Sequence, residues 1–281
     1  MLQCIGFSLI ARLDRTVIDP HVVRLHYLVL PGELVVFQDP ASMTWPTPEG
    51  ILQVNVDNAT FELSNHFASE DEARRAVQPY LDAWEVSAGL SFPTRQRPFQ
   101  FRFRFADILD RAVKSVDGMP TSRSLVVPQS VAIAESLTSF PMPPTAFAVD
   151  DDVRLMWQRW EAYKSGRETL PTVAYFCLTV LEASVGGSSR KHRVQAGQRY
   201  QIAVDVLNKL GDLASDFGAD HEARKAHRPH RRSYTSSERS WIESALLRII
   251  ARMGEMVADP GKEYALISMD SLPSLPAFGS P

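Results

Sequence analysis

The chain has 281 residues, of which 44% are apolar and 22% charged, with fourteen phenylalanines and five tryptophans. That balance belongs to a folded protein with a sizeable core, excludes a disordered chain, and exceeds the length of one ordinary domain. Formal net charge is −3, divided as −5 over the first 150 residues and +2 over the rest, so any cationic surplus is local.

Residues 5–13 carry no basic leader or small-residue cleavage site and are expected to form a first strand. Residues 22–30, 34–38, 52–56 and 60–63 also read as strands, joined by antiparallel connections. Pro31-Gly32 and Asp57-Asn58 supply turns, and Pro46, Pro48 and Gly50 mark a longer loop. Ser69-Glu70-Asp71-Glu72 is a capping-box pattern that opens a helix. Its apolar positions Ala73, Val77, Tyr80, Leu81, Trp84 and Ala88 recur at helical spacing, and Gly89 is the expected terminator.

Phe99, Phe101, Phe103 and Phe105 alternate with Gln100, Arg102 and Arg104. This period of two describes a half-buried strand with solvated arginines; the alternative is an aromatic platform for stacking nucleic-acid bases. Residues 116–144 contain Gly118, Pro120, Pro128, Pro141, Pro143 and Pro144, which oppose a continuous helix and suggest a domain junction. Asp150, Asp151 and Asp152 stand where a helix dipole favours negative charge. Three consecutive carboxylates cannot all face one ion on a regular helix, so capping is favoured over a metal.

Val153, Met156, Trp157, Trp160 and Tyr163 form an aromatic stripe, and the apolar stretch 172–183 is expected as a central buried helix. Glu182 near its end is expected to be exposed, with a buried acid or base as the alternative reading, and Gly186-Gly187 stops the helix. Arg190-Lys191-His192-Arg193 opens the next segment, in which Ile202, Ala203, Val206, Leu207, Leu210 and Leu213 share a helical face as far as Gly218. Thr235-Ser236-Ser237-Glu238 is a second capping box, followed by the strongest amphipathic helix and its stop at Asp259-Pro260-Gly261. Residues 267–273 are expected to dock on the bundle.

The fold class expected is α+β. A β-rich N-terminal domain with an inserted helix spans 1–145, an α-helical bundle forms the C-terminal domain at 146–272, and a flexible tail occupies 273–281. Trp157, Trp160, Phe176, Leu181, Leu207, Leu210, Trp241, Leu246 and Ile250 are the expected core of the bundle. Cys4 and Cys177 lie in apolar surroundings and suggest buried thiols rather than a disulfide framework or a cysteine metal site. No run reaches the roughly 18–20 apolar residues that span a bilayer, so a cytoplasmic protein without membrane association is expected.

Charge and titratable nitrogen concentrate at 224–232, where Arg224, Lys225, His227, Arg228, His230, Arg231 and Arg232 surround Pro229. Such a knot is either an anion- or nucleic-acid-contacting loop, through Arg224, Lys225, Arg228, Arg231 and Arg232, or a solvated connector between helices. His221, His227 and His230 have spacing for a metal, but the flanking arginines repel a dication and only Glu222 is near to complete a set; no metal or cofactor is expected. Phosphate loops, dinucleotide glycine patterns, nucleophile elbows and zinc-protease helices are absent from the sequence.

The Arg-x5-His spacing of Arg224 and His230 within a helical region resembles the motif of HEPN ribonucleases. The resemblance implies a helical bundle, a site formed across a homodimer, and metal-independent RNA cleavage with His230 moving the proton and Arg224 stabilising charge on phosphorus. Pro229 departs from that family, whose motif lies on a helix. Four further blocks, 84–90, 174–182, 223–226 and 267–273, together resemble a bacterial family in which some members carry the label methylamine-utilisation protein MauJ. That resemblance implies an accessory role and carries over no catalytic residue. The function expected is therefore a cytoplasmic accessory or interaction protein with a protein partner or an anionic ligand. The alternative is a HEPN-like ribonuclease or RNA-binding protein.

Overall fold

The computed structural model describes residues 18–92, 94–112, 135–187, 190–216 and 233–275 of the chain. Its architecture is α+β, with an antiparallel sheet in the N-terminal part and helices in the C-terminal part. The expected strand at 5–13, Cys4, Gly218 and the basic knot at 224–232 lie outside the described residues.

Five strands, β1 (Pro20–Pro31), β3 (Met43–Thr47), β4 (Gly50–Val54), β5 (Asn58–Leu63) and β6 (Phe99–Asp110), form one sheet in the order β3-β4-β5-β1-β6. Asp57-Asn58 joins β4 to β5 as expected. Two expectations are corrected. The segment read as a long loop contains β3, whose Pro46 is tolerated because β3 is an edge strand and its missing donor leaves no ladder bond unmade. Pro31-Gly32 does not fold β2 (Val35–Phe37) back onto β1: β2 leaves the sheet and pairs in parallel with β7 (Glu135–Leu137).

The phenylalanine alternation of β6 holds for only part of the strand. Phe99 and Phe101 point into the core, and a register shift between His26 and Tyr27 of β1 breaks the alternation beyond Phe103. Phe105 consequently stacks on the ring of His26, at 4.3 Å between centroids, rather than following the other three inward. A base-stacking platform is thus ruled out for Phe99 and Phe101, which are sealed against tryptophan and phenylalanine rings.

Helix α1 (Glu70–Ser91) covers the inner face of the sheet. Ser69 caps it by accepting from Glu72 N–H at 3.2 Å, while the Glu72 carboxylate reaches back to Ala68 N–H instead of closing the reciprocal bond on Ser69 itself. Ala73, Val77, Leu81, Trp84 and Ala88 belong to the sheet core, whereas Ala83, Val86 and Leu90 belong to the core of the helices beyond. The one helix is shared by both cores.

The helical layer comprises α2 (Asp151–Lys164), α3 (Leu170–Ala183), α4 (Arg190–Tyr200), α5 (Val204–Asp216) and α6 (Ser236–Ala258). Asp150 caps α2 through Val153 N–H at 2.8 Å, and Asp151 pairs with Arg154, so these acidic residues serve the helix start. All nine expected core residues of this layer join its cluster, Phe176 at its margin. The segment expected as one helix from 190 is two, because Gln201 adopts φ 52° and Ile202 leaves the helix to bridge Ile267. Thr235 and Glu238 form the reciprocal capping box of α6. Residues 267–272 dock as expected, Ile267 and Leu272 being buried, with a short 3-10 turn at Met269–Ser271. None of the described helices is long and apolar enough to cross a membrane.

Gly89 does not end α1, which runs on to Ser91. Its role is close approach: a Cβ there would lie 2.5 Å from Cζ2 of the fully buried Trp157. Gly89→Ala should therefore destabilise the protein by about 1–3 kcal/mol through overpacking, despite the roughly 1 kcal/mol of helix propensity that alanine adds. The measurement is the urea midpoint at unchanged m value, and a midpoint at or above that of the parent would show that the indole has room to move.

Candidate functional site

The residues singled out in the basic knot, Arg224, Lys225, Arg228, His230, Arg231 and Arg232, lie outside the described residues. Glu182, expected to be exposed, is instead buried. The turn at Gly186 and Gly187 brings α4 back over the end of α3, so that Arg193 donates from Nε to Glu182 Oε1 at 2.8 Å and from Nη1 to Asn208 Oδ1 at 3.3 Å. Glu182 is held by a partner and covered. Among the described residues no group of three or more histidine, cysteine or acidic side chains is arranged to hold a metal, and Cys177 is buried with its thiol pushed up by desolvation.

Two histidine constellations lie on the sheet. On its outer face Thr60, His26 and Asp107 stand in line, with Thr60 Oγ1 3.4 Å from His26 Nδ1 and Asp107 Oδ2 2.9 Å from His26 Nε2. The sequence of groups is that of a nucleophile, base and orienting acid. Register explains it more simply: His26 and Thr60 are directly opposed on β1 and β5, and β1 is bonded on both sides, so its amides are consumed by the ladder rather than aimed at an oxyanion.

At one end of the sheet Arg111 makes a two-pronged pair with Asp19, both bonds 3.1 Å, and donates to His66 Nε2 at 3.3 Å. Because a guanidinium only donates, Nε2 of His66 accepts, its Nδ1 carries the proton, and the 3.0 Å contact runs from His66 Nδ1–H to His21 Nδ1. Burial first, then the neighbouring His66 and Arg111, hold His21 below the ordinary imidazole value, with Asp19 opposing. Each ring nitrogen that faces a neighbour is therefore already assigned.

The most perturbed carboxyl is Glu85 of α1, 3% exposed and pushed up to about 7 by desolvation, against the pull of Arg97 and of Phe101 N–H. Glu85 Oε2 accepts from Arg97 Nη1 at 2.5 Å and Oε1 from Phe101 N–H at 2.6 Å, while Arg97 Nε reaches Glu161 Oε1 of α2 at 2.7 Å. Glu161 is likewise raised, first by burial. A perturbed carboxyl is a common mark of an active site. Here both oxygens are satisfied and the group is closed in between α1, the α1–β6 connection and α2, so the network is structural.

An open cleft of about 580 Å³ lies beside that network. Its walls are the end of α1 with Leu90 and Ser91, Arg95 of the following connection, the outward side of α6, and Ser271 with Pro273. On α6, Ser240, Ser244 and Arg248 form one i, i+4 row and Glu243, Leu247 and Ala251 the neighbouring row. Leu90 and Leu247 are buried and, with Ala251 and Pro273, supply apolar surface among four serine hydroxyls.

Arg95 is held in an uncommon backbone state, φ 56°, a left-handed conformation that is costly for residues with a Cβ. Trp160 Nε1–H donates to its carbonyl at 2.7 Å, its own N–H donates to Phe92 O at 2.9 Å, and its Nη1 donates to Leu90 O. Arg95 is exposed. Arg248 is exposed, and among the described residues neither arginine makes an ion pair. Glu243 accepts from Tyr163 O–H at 2.5 Å through Oε1, and Arg239 donates to the same phenol at 3.1 Å. Burial, with the hydrogen bond to Glu243, pushes Tyr163 up to about 12, so it stays a donor throughout the physiological range.

Two other concavities are less converging. One of about 430 Å³ beside the α4–α5 turn presents Gln198, Gln201, Glu263 and Tyr264, and Gln201 Oε1 is already engaged by Tyr264 N–H. Another, beside α1, presents Arg74 and Arg75; Arg74 lies over the Phe103 ring and pairs with Glu70, and Arg75 bonds Asp71 O. Of these three, the α1/α6 cleft combines cations without an ion partner among the described residues, hydroxyl donors and an apolar floor. Nothing in the chain order announced that Arg95 would join Glu243 and Arg248.

Comparison with family models, with curated proteins and with solved structures finds no match.

The Glu85 network makes a signed prediction. A carboxyl raised in the folded state keeps its proton longer than in the unfolded chain, so its contribution is fully present below the unfolded value near 4.5 and is lost as pH rises through about 7. Arg97→Ala removes the cation that opposes burial and raises both carboxyls further. The variant should lose about 3–5 kcal/mol at pH 8 and distinctly less at pH 5, where Glu85 can remain neutral. Urea unfolding at the two pH values measures this; an equal loss at both would show that Glu85 does not take up the proton.

Proposed function

We propose that the protein is a binding protein, of the accessory kind expected from its sequence, that holds a small anionic ligand in the α1/α6 cleft. The observation that carries the reading is the pairing of Arg95 and Arg248 around one concavity, neither with an ion partner among the described residues, and with Ser91, Ser240, Ser244 and Ser271 on the same walls. Guanidinium groups present several donors in a plane and bind carboxylate or phosphate by two parallel hydrogen bonds. The hydroxyls of Ser91, Ser240 and Ser244 complete the shell of such an anion, and the floor of Leu90, Leu247, Ala251 and Pro273 accommodates an apolar portion of the ligand.

Preorganisation supports the same reading. Arg95 is fixed by three hydrogen bonds at its own main chain and side chain, so less freedom is lost when a ligand arrives. Arg248 projects from the middle of a long, capped helix.

Trp160 touches the Arg95 carbonyl and so provides an internal reporter. Titration of the full-length protein with inorganic phosphate and with 4-methylpentanoate should give saturable changes in tryptophan fluorescence, confirmed by calorimetry. Arg248→Ala should weaken binding of whichever anion is taken by about tenfold or more, the worth of one charge-assisted pair. Its unfolding midpoint should not move, since the side chain is exposed. Absence of saturable binding of both anions in both measurements overturns the reading.

A further inference from the structure

The cleft is bipolar, and the arrangement of its charges identifies the ligand more closely than its arginines do. Glu243 lines the same concavity as Arg95 and Arg248, yet no ion pair joins it to either among the described residues. One of its oxygens, Oε1, is taken by the Tyr163 hydroxyl. That bond holds the carboxylate in place, and the phenol, held protonated by burial, supplies only its own hydrogen; among the described residues Oε2 has no hydrogen bond. An open carboxylate and two open guanidinium groups around one volume would collapse onto one another unless backbone position kept them apart. On α6 the spacing does so: Glu243 and Arg248 are five residues apart, which are not facing positions on a helix.

We propose that the ligand is a zwitterion, an α-amino acid with an apolar side chain, whose ammonium group bonds Glu243 and whose carboxylate bonds Arg248 and Arg95. The inference rests on the reading of the cleft as an anion site. An α-amino acid carries its ammonium and carboxylate on one carbon, so a single guest can meet both signs of charge that line the cleft. The two rows of α6 divide the remaining work: Ser240 and Ser244 lie in the row that leads to Arg248, on the carboxylate side, and Leu247 and Ala251 follow Glu243 along the other row as apolar contact for the side chain, opposite Leu90 and Pro273. A plain anion of the same size leaves the Glu243 carboxylate facing it without a counter-charge, which costs affinity through like-charge repulsion.

The test compares L-leucine with 4-methylpentanoate, which keeps the carboxylate and carbon chain and lacks the ammonium group, by calorimetry on the full-length protein. Leucine should bind about tenfold or more tightly than its des-amino counterpart. Glu243→Gln keeps a carbonyl oxygen for the Tyr163 hydroxyl, and should weaken leucine by about tenfold while leaving 4-methylpentanoate unchanged or tighter. Equal affinity for the two compounds in the parent protein overturns the proposal without recourse to any variant, as does a leucine preference that survives Glu243→Gln. Binding of 4-methylpentanoate or phosphate without a preference for leucine leaves the anion site standing and removes the amino acid. Failure of all three compounds removes both.

Discussion

The structure depends on one guanidinium placed between a buried and a half-buried carboxylate. Arg97 leaves the connection after α1, takes Glu85 of α1 with Nη1, and takes Glu161 of α2 with Nε and Nη2. The three groups come from the sheet-covering helix, from the chain returning to the sheet and from the helical layer, so the network fixes how the layers meet. Taking these charges out of water is costly, and the arrangement survives because the buried Glu85 has a second partner in Phe101 N–H while Glu161 keeps part of its contact with water. Its return is geometric. Hydrophobic contact between α1 and α2 alone would tolerate sliding, whereas a fork that must meet two carboxylates at 2.5–2.9 Å does not.

That constraint passes to the cleft through two residues. Arg95 lies two positions before Arg97, and the indole of Trp160, beside Glu161 on α2, closes on its carbonyl. A connection pinned at Arg97 and Trp160 has little freedom at Arg95, which accounts for a side-chain-bearing residue remaining at φ 56°. The opposite wall is set by a second arginine, and this one is buried. Arg252 of α6 donates to the carbonyls of Tyr200 and Gln201, where α4 ends, and to Ala265 O. Those carbonyls lack helical partners, and the guanidinium both satisfies them and ties the 264–272 segment alongside α6, carrying Ser271 to the edge of the cleft.

How much of this is legible in the chain varies with the range of the interaction. The helix cap at Ser69, the capping box at Thr235, the amphipathic stripes of α1 and α6, and the turn at Asp57-Asn58 are local and periodic, and each appears where the residues imply it. Features set by tertiary approach are not. Gly89 has the signature of a helix stop, and only the indole of Trp157, 68 positions on, reveals that it is a packing residue. Glu182 reads as a solvated helix end because its partner, Arg193, arrives only after the chain turns back. The phenylalanine alternation of β6 predicts a uniform face, and a register shift against β1 redirects Phe105. The cleft belongs to this second group. Its residues come from four separate parts of the chain, and none of them is unusual in its own sequence surroundings.

The decisive distinction within the protein is between charges with an assigned partner and charges without one. Arg97, Arg193 and Arg252 are each oriented toward carboxylates or carbonyls and at least partly shielded from solvent, and the same carboxylates that would attract attention by burial, Glu85 and Glu182, are the counterparts of the first two. A buried and satisfied ion pair stores its chemistry where no ligand reaches it. Around the α1/α6 cleft the pattern is reversed. There the backbone is rigid, held by Trp160 and by the capped α6, while the charged ends of Arg95 and Arg248 are exposed and Glu243 is anchored through only one oxygen. Rigid positions bearing uncommitted donors and acceptors are the condition for selective binding, because the ligand supplies the pairing that the fold withholds. The interior arginines make that condition possible by fixing the walls on which the open charges stand.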